Sequence, residues 1–333
     1  MSRLDRRALL VAALATATTL VCGGMATAQD RPVLRLSSVV SDTDIRATAF
    51  QEIADAVAEQ IDLQVYNGAT LVPQGSEITA IQRGNLEMGI VPPQDIANQI
   101  PEWSILTAAY VLQDVDHLKA VFDGDVGAQL NAMAEEIGLH IITPVYFGTR
   151  QVNLAPETEV MTPEDLSGVT LRMPGGDAWQ FLGTAIGASP TPLAYSEVYT
   201  ALQTGAIDGQ DNPLPNDYNM KFYEVTSQIV LTGHLVGFDV LTIGSEVWNS
   251  MTPEQQELLQ TASEEAIAKS TQAHLDREAE LVQFFKDEGL KVYEPDREAF
   301  RTFAQAKYLE SDFAASWPDG MLDAINALGT PSN

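Results

Sequence analysis

Short runs of β-branched and apolar residues alternate with amphipathic stretches along most of the chain. Residues Ile45–Gln60 are of the second kind, because Phe50, Ile53, Ala54 and Val57 recur at helical spacing. Strands are predicted for five short runs, Leu34–Val39, Leu63–Tyr66, Leu139–Thr143, Val169–Met173 and Val240–Ile243. Strands that alternate with helices favour an α/β layer architecture.

Two segments of the chain share a weak internal similarity. Residues 80–93 and 201–214 align at a constant offset of 121 positions, and in each a helical pattern stops at a glycine before a short predicted strand. Gly84 and Gly205 follow the two helices, at a position where glycine adopts a left-handed conformation easily. Two lobes of similar build, each carrying this unit towards a shared cleft, would explain the similarity. A different explanation is that any helix–glycine–strand unit looks this way.

A long polar stretch predicts a single helix over residues 253–288. Thr252 is a suitable N-cap, Pro253 suits the first helical position, Gln255 completes a capping box, and Gly289 suits the position after the helix. A helix of 36 residues would be about 54 Å long at a rise of about 1.5 Å per residue, which exceeds the width of a small lobe. We therefore predict a spine helix shared by two lobes.

The length of the chain also favours two lobes over one. We expect residues 29–148 and about 234–252 to form the first lobe. We expect residues 149–233 and about 290–333 to form the second lobe, and residues 253–288 to belong to both. The predicted fold class is therefore a two-lobed α/β protein with a long helix that spans both lobes.

The first 28 residues have the pattern of a cleavable signal peptide. Three arginines precede an apolar run over residues 8–21, and the small residues 26–28 (ATA) provide a cleavage site. An alternative is a lipoprotein anchored at Cys22, although Val21 is bulkier than lipoprotein processing prefers. The Arg6-Arg7 pair leaves both the Sec and the twin-arginine route open. We predict an exported, periplasmic protein that does not itself span the membrane, because no other segment approaches the required apolar length.

The net charge of the chain limits the kinds of partner that it can bind. The sequence carries 46 acidic and 18 basic side chains, a net charge of −28, and removal of residues 1–28 would make the balance −30. Such a charge argues against nucleic acid and against anionic membrane surfaces. The only cysteine lies in the predicted signal peptide, so we expect no disulfide in the mature protein.

Signatures of catalysis are absent from the sequence. The four histidines are scattered, and there is no H-E-x-x-H, G-x-S-x-G, P-loop or G-x-G-x-x-G motif. Residues 123–127 (DGDVG) resemble the start of a calcium loop, but no glutamate follows at the twelfth position. We therefore expect that the protein is not an enzyme and that it binds no metal and no cofactor. The many acidic residues leave open an exported hydrolase or lyase that would use paired carboxylates.

Two arginines follow apolar runs, although basic residues are scarce. Arg150 follows PVYFGT, and Arg172 follows GVTL and precedes Pro174-Gly175-Gly176. Ligands of open α/β sheets collect beyond the carboxyl ends of strands, and a guanidinium there can bind a carboxylate through two parallel hydrogen bonds. The alternative for either arginine is a salt bridge to one of the protein's own acids.

Several segments of the second half resemble a known family. FGTRQVNLA, MTPEDLSGVTLRMP and GASPTPLAYSEVYTALQTGAIDGQDNPL are similar to segments of the DctP-type periplasmic solute-binding proteins of tripartite ATP-independent periplasmic (TRAP) transporters. The sialic-acid and dicarboxylate branches show the greatest similarity. The resemblance implies a Venus-flytrap, or periplasmic-binding-protein, fold that closes over a small organic acid and delivers it to the TRAP membrane permease. A binding module that serves a sensor would look the same in sequence.

The resemblance also implies a set of ligand-binding residues. The carboxylate-binding arginine of the family corresponds to Arg172, and the second arginine of the sialic-acid branch corresponds to Arg150. The aromatic residue of P-T-P-x-A-[FY] corresponds to Tyr195, and the asparagine of D-G-Q-[ED]-N-P corresponds to Asn212. Core packing is the alternative for Tyr195, and a turn before a proline is the alternative for Asn212.

The first lobe departs from the family pattern. Where relatives often carry charged residues after the second strand, this chain has Gln74, which we add to the candidate site. Gly175 replaces an asparagine of the sialic-acid branch, and the loop Val39–Asp44 is shorter. A C4-dicarboxylate, a uronate-type sugar acid and another hydroxy or keto acid therefore all stay open as ligands.

Overall fold

A computed structural model describes residues 31–329. The predicted signal peptide, residues 1–28, lies outside the described residues. No helix among residues 31–329 combines the length and the apolar character that a membrane crossing requires.

The described strands form one mixed sheet. They are β1 Val33–Ser37, β2 Asp62–Tyr66, β3 Met88–Val91, β4 Leu139–Leu154, β5 Thr170–Met173, β6 Ser189–Pro192, β7 Gly209–Pro213, β8 Gln228–Gly244 and β9 Lys291–Tyr293. Their order is β2-β1-β3-β8-β4-β7-β5-β6, and β9 pairs with β8 outside this path.

Helices connect the strands and cover the sheet. They are α1 Ile45–Val57, α2 Glu77–Gln82, α3 Pro93–Ala97, α4 Val115–Phe122, α5 Asp125–Glu136, α6 Asp177–Ala185, α7 Val198–Thr204, α8 Leu214–Asn219, α9 Ser245–Ser250, α10 Pro253–Asp287, α11 Arg297–Leu309, α12 Asp312–Ser316 and α13 Met321–Leu328.

The sheet consists of two halves with the same internal order. In the first half, β1 pairs in parallel with β2 and β3, and β3 is antiparallel to β8. In the second half, β5 pairs in parallel with β6 and β7, and β7 is antiparallel to β4. The long strands β4 and β8 pair with each other and join the halves. The two-lobed α/β fold class is confirmed, whereas the residue boundaries of the lobes stay a prediction.

The internal similarity of the sequence corresponds to a repeated structural unit. An offset of 121 places α2, β3 and α3 onto α7, β7 and α8. Gly84 and Gly205 follow the first helix of each unit with φ angles of 69° and 71°. Pro92 and Pro213 are the N-caps of the helices that follow each strand. The helix–glycine–strand prediction is therefore confirmed in both segments, and the two units lie in opposite halves of the sheet.

The predicted spine helix is present as α10, which has 35 residues. Thr252 and Gln255 form the predicted capping box, and Gly289 follows the C-cap with a φ of 97°. The helix contacts α1 of the first half, the central strand β4, and α8 of the second half. Because α10 packs against both halves, it links them as the sequence predicts.

The two central strands are longer than the sequence patterns indicate. β4 continues past the predicted end at Thr143 to Leu154, and β8 begins well before Val240. Three register shifts interrupt the pairing of β4 with β8, between Ile141 and Thr143, Tyr146 and Gly148, and Arg150 and Val152. These irregularities break the alternation of side chains, so the strands lack a clear pattern. Arg150 consequently lies inside β4 and not at a strand end.

Candidate functional site

Arg172 is buried without an acidic partner. It is the third residue of β5, and 1% of its surface is exposed. Nε donates a hydrogen bond to the backbone carbonyl of Leu193 at 2.8 Å, and Nη2 has no partner among residues 31–329. None of the salt bridges between described residues includes this arginine. Burial, and next the nearby charge of Arg150, lowers the pKa of the Arg172 guanidinium to about 10.

Arg150 differs from Arg172, because one of the protein's own acids neutralises it. Its Nε lies 2.6 Å from Asp211 Oδ2, and its Nη2 lies 2.9 Å from Asp211 Oδ1. His234 Nε2 also lies 3.1 Å from Asp211 Oδ2. Burial alone would raise the pKa of the Asp211 carboxyl, but Arg150 and His234 hold that pKa below its usual range. The alternative of an internal salt bridge therefore applies to Arg150, and its contact with a ligand stays a prediction.

Tyr195 and Gln74 meet across the two halves. The backbone N–H of Tyr195 donates to Gln74 Oε1 at 2.8 Å. The Tyr195 ring lies 5.9 Å from the Arg172 guanidinium carbon and packs edge-on against Phe222. Burial raises the pKa of the Tyr195 hydroxyl above its usual value. Two of the predicted site residues, Tyr195 and Arg172, are thus neighbours, and a third, Gln74, is bonded to one of them.

Asn212 belongs to a buried amide network in β7. Its Nδ2 donates to Gln210 Oε1 at 2.5 Å, and its Oδ1 accepts from Asn216 Nδ2 at 3.2 Å. Gln210 in turn donates to Asp217 Oδ1 at 2.7 Å. Burial raises the pKa of the Asp217 carboxyl well above its usual range. Asn212 is 3% exposed and is therefore part of an extended buried network and not a solvated turn.

A cation that the sequence analysis missed lies in the first half. Arg46, in α1, is 2% exposed and is bonded to Asp44 by Nε and Nη2 and to Asp239 by Nη1, each at 3.0 Å. Its guanidinium carbon lies 4.3 Å from the centre of the Phe147 ring. Asn219, from the second half, approaches Asp44 Oδ2 at 3.4 Å. Arg46 lies one turn before Phe50 on the buried face of α1, and a charge on the apolar face of a predicted helix is the sequence signal that could have identified it.

An acidic group lies beside this ion pair. Burial raises the pKa of Glu77 to about 7, and the charge of Asp239 adds to the rise. Burial, and next the charges of Glu77 and Asp239, raise the pKa of Asp95 to about 7. Burial also raises the pKa of Asp239 to about 6, although Arg46 opposes the shift. These acids have no distinct sequence signal, because acidic side chains are common throughout the chain.

Residues from both halves line a cavity of about 530 Å³. The first half contributes Gln74, Asp95 and Asn98, and the second contributes Gly176 and Trp179. Gln74 and Tyr195 also line a second cavity, of about 400 Å³. Arg172 does not line either cavity, but its hydrogen-bond partner Leu193 lines the larger one. Residues of both halves therefore line the two cavities at this site.

Trp179 is a further residue that the sequence analysis missed. It is 4% exposed, its ring lies 4.8 Å from the Arg150 guanidinium carbon, and its Nε1–H has no partner among residues 31–329.

The two glycines of the turn before α6, Gly175 and Gly176, differ in how much space surrounds them. A side chain at Gly176 would meet the Asn98 amide at 2.9 Å, whereas Gly175 has open space around it. The backbone of this turn therefore approaches the first half closely at Gly176 and not at Gly175.

Comparison with known proteins agrees with this architecture. The family described as bacterial extracellular solute-binding protein, family 7, has a model that matches residues 36–313. The chain belongs to this family. The sialic acid-binding periplasmic protein SiaP of Vibrio cholerae is 31% identical over 302 residues, which is 89% of this chain and 94% of that protein.

Solved structures show the same fold. A TRAP periplasmic solute-binding protein from Roseobacter denitrificans, with bound 3-deoxy-D-manno-oct-2-ulosonic acid (KDO), is 48% identical, covers 90% of this chain and all of that chain, and superimposes with a TM-score of 0.88. A second, from Polaromonas sp. JS666 with bound D-erythronate, is 25% identical with a TM-score of 0.82 and covers 90% of this chain and all of that chain. The predicted membership of the TRAP solute-binding proteins is confirmed. Proteins of this family are periplasmic solute-binding receptors and not enzymes.

Proposed function

We propose that the mature protein binds the carboxylate of a sugar acid with Arg172, closes over it and delivers it to a TRAP permease. It performs no chemistry on the ligand, and it reaches the periplasm by means of the signal peptide predicted at residues 1–28. The observation that supports the proposal is the unpaired Nη2 of a guanidinium that is 1% exposed.

A buried cation without an anion is unfavourable. Removal of a charged group from water costs roughly several kcal/mol, even after the protein relaxes around the charge. Only a well-placed opposite charge offsets this cost. The lowered pKa of Arg172 reflects this situation. A ligand carboxylate that accepts from Nη2 would offset the burial, and its charge-assisted hydrogen bonds would contribute about 1.5–3 kcal/mol each.

The neighbours of Arg172 have supporting roles in this proposal. The Nη1 of Arg150 makes no hydrogen bond to the described residues, since Nε and Nη2 alone bind Asp211. Arg150 therefore supplies a second donor without a second net charge. Asn212 orients the ligand through its amide, and the Tyr195 ring covers one face of it.

The ligand class is proposed from two of the matched relatives. The Roseobacter structure, 48% identical, holds KDO, and the 31% identical Vibrio protein is named for sialic acid. Both ligands are 3-deoxy-2-ulosonic acids, which carry the carboxylate next to a ketose carbon and a polyhydroxylated chain beyond it. We therefore expect KDO or a close analogue to bind most tightly.

Closure of the two halves retains the ligand. The hydrogen bond between Gln74 and Tyr195 and the approach of Asn219 to Asp44 join opposite halves. Such contacts form only when the halves meet, and a ligand favours that state by its differential affinity for it.

The experiment is a calorimetric titration of residues 29–333 with KDO, N-acetylneuraminate, D-galacturonate and succinate. Arg172→Ala should weaken binding of the best ligand by at least about 30-fold, because loss of one partner of a buried charge pair costs about 2 kcal/mol or more. Arg172→Lys keeps the charge but not the planar fork, so its affinity should lie between those of the wild type and the alanine variant.

The matched control is Arg83→Ala, an exposed arginine outside the site, which should leave the affinity unchanged. Equal affinities of the wild type and Arg172→Ala would refute the role of Arg172. Conversion of any bound acid into a product would refute the receptor function.

A further inference from the structure

The strand registers relate Arg172 to a residue of the first half. Arg172 of β5 pairs with Gln210 of β7, and Ser37 of β1 pairs with Gly89 of β3. Positions 89 and 210 differ by the repeat offset of 121, so Ser37 is the first-half counterpart of Arg172. The first half therefore has a neutral side chain where the second half has a cation.

The same comparison relates Arg150 to an acid. Arg150 of β4 lies opposite Pro213, whose counterpart is Pro92. Val91 pairs with Val240 in antiparallel β8, which places Asp239 at the level of Pro92. The two halves thus have opposite charges at equivalent positions, Arg150 in the second half and Asp239 in the first.

Further acids strengthen this asymmetry. Asp239 shares Arg46 with Asp44. Glu77, which is 3% exposed, and Asp95 make no salt bridge to the described residues. Asp95 also lines the 530 Å³ cavity between the halves. Glu77 and Asp239 do not line this cavity, but their charges act on the Asp95 carboxyl that does. The first-half wall, formed by Asp95 with Glu77 and Asp239 next to it, is therefore negatively charged once Glu77 and Asp95 ionise, above about pH 7.

A second observation indicates that polar ligand atoms belong in this cavity. Trp179 lines it from the opposite side, is 4% exposed, and has an indole N–H without a partner among the described residues. A buried donor without an acceptor is unfavourable by about 1–3 kcal/mol. A ligand hydroxyl or carboxylate oxygen would remove this penalty.

We infer that the first-half wall restricts the site to monocarboxylates, oriented with the carboxylate at Arg172 and a hydroxyl group at Asp95, and excludes dicarboxylates. The inference rests on the proposed function. A carboxylate wall accepts hydrogen bonds from hydroxyl groups, but it repels a second ligand carboxylate. The C4-dicarboxylates, which the sequence left open, are therefore excluded as ligands.

Repulsion between the wall and a second ligand carboxylate favours the same selectivity. Like charges that are brought together in an interface make the binding free energy less favourable by roughly several kcal/mol. This corresponds to a loss of about 100-fold or more in affinity. The acids of the wall already repel one another, since burial first and then the charges of Glu77 and Asp239 raise the pKa of Asp95. A further anion at the wall would increase that repulsion.

The test compares L-galactonate with galactarate, which differ only in a terminal CH2OH or carboxylate, and includes KDO and succinate. Calorimetry is performed at about pH 8, where Glu77 and Asp95 are mostly ionised, on the wild type and on the isosteric double variant Glu77→Gln/Asp95→Asn. We expect the wild type to bind KDO or L-galactonate at least about 100-fold more tightly than galactarate. In the double variant this preference, expressed as the ratio of the two dissociation constants, should fall at least about tenfold.

A control for the change in total charge is Glu257→Gln/Glu265→Gln, two exposed acids of α10, which should preserve the wild-type ratio. The inference is overturned if the wild type binds galactarate or succinate as tightly as the monocarboxylates. It is also overturned if the double variant binds KDO normally but rejects galactarate as strongly as before. Absence of binding of every acid by the wild type would instead contradict the proposed function, and the inference with it.

Discussion

Gln74 and Tyr195 are joined by a hydrogen bond of 2.8 Å although 121 residues separate them, and 121 is also the offset of the internal repeat. The two residues therefore occupy equivalent positions in the two halves and meet between them. A contact between equivalent positions is expected where two similar units face each other across a shared cleft. This relationship makes the Gln74 side chain a suitable probe of closure.

Loss of the Gln74 side chain should weaken ligand binding without unfolding the protein. Gln74→Ala removes one neutral hydrogen bond between the halves, which contributes about 0.5–1.5 kcal/mol. The affinity should fall about 2- to 10-fold, mainly through faster dissociation, and stopped-flow fluorescence can measure the rate. Gln51→Ala, an exposed residue of α1, is the control. An unchanged dissociation rate for Gln74→Ala would show that the contact does not hold the closed state.

Removal of the partner of Arg150 should destabilise the protein strongly. Asp211→Asn leaves a guanidinium that is 3% exposed without its anion. Loss of one member of a buried ion pair typically lowers the free energy of unfolding by about 3–5 kcal/mol. Urea denaturation measures the change. Glu280→Gln, which breaks the exposed pair with Arg277, should change it by less than about 1 kcal/mol. Similar losses for the two variants would contradict the burial argument.

The unliganded protein should lose stability as the pH rises through the range in which Glu77 ionises. The pKa of Glu77 is raised from 4.5 to about 7 in the fold. Between these two pKa values the unfolded chain releases the Glu77 proton while the folded protein retains it. The contribution of Glu77 to the free energy of unfolding is therefore complete below about pH 4.5 and lost by about pH 7. The single group accounts for about 3 kcal/mol of unfolding free energy.

Glu77→Gln should flatten this part of the pH profile in denaturation experiments between pH 4 and 8. Glu265→Gln removes the same charge from an exposed position of α10 and should leave the profile unchanged. A Glu77→Gln profile as steep as that of the wild type would mean that other groups cause the pH dependence.

A glycine in β4 should tolerate no side chain. Gly148 has a φ of +118°, and a Cβ there would lie 2.6 Å from Pro213 Cβ and 2.9 Å from Glu278 Oε1. Gly148→Ala should lower the free energy of unfolding by about 1–3 kcal/mol, as thermal or urea denaturation can show. Gly175→Ala, at a position with open space, should change it by about 0.5 kcal/mol or less. Equal effects would contradict the backbone geometry of β4.

Local patterns in the sequence were sufficient to predict several parts of the structure. The capping box at Thr252 and the glycine at 289 located α10 to within one residue, because caps depend on neighbouring residues. Arg172 was found in the same way, since an arginine between a short apolar strand and a Pro-Gly-Gly turn is a local signal.

Long-range pairing was not readable from the sequence. Arg150 and Asp211 are 61 residues apart, and the antiparallel register of β4 with β7 brings them together. Arg46 and Asp239 are 193 residues apart. In a chain with 46 acidic side chains, no pattern could select these two as partners of the arginines. The assignment of Arg172 as the one buried arginine without an acidic partner among residues 31–329 therefore required the three-dimensional structure.

The most direct test of the account is a crystal structure of the mature protein with the acid that binds most tightly. The account predicts that a carboxylate oxygen of the ligand accepts a hydrogen bond from Arg172 Nη2 at about 2.7–2.9 Å, with Asp211 still bound to Arg150. A ligand carboxylate bound elsewhere, while Arg172 pairs with an aspartate or glutamate of the protein itself, would contradict it.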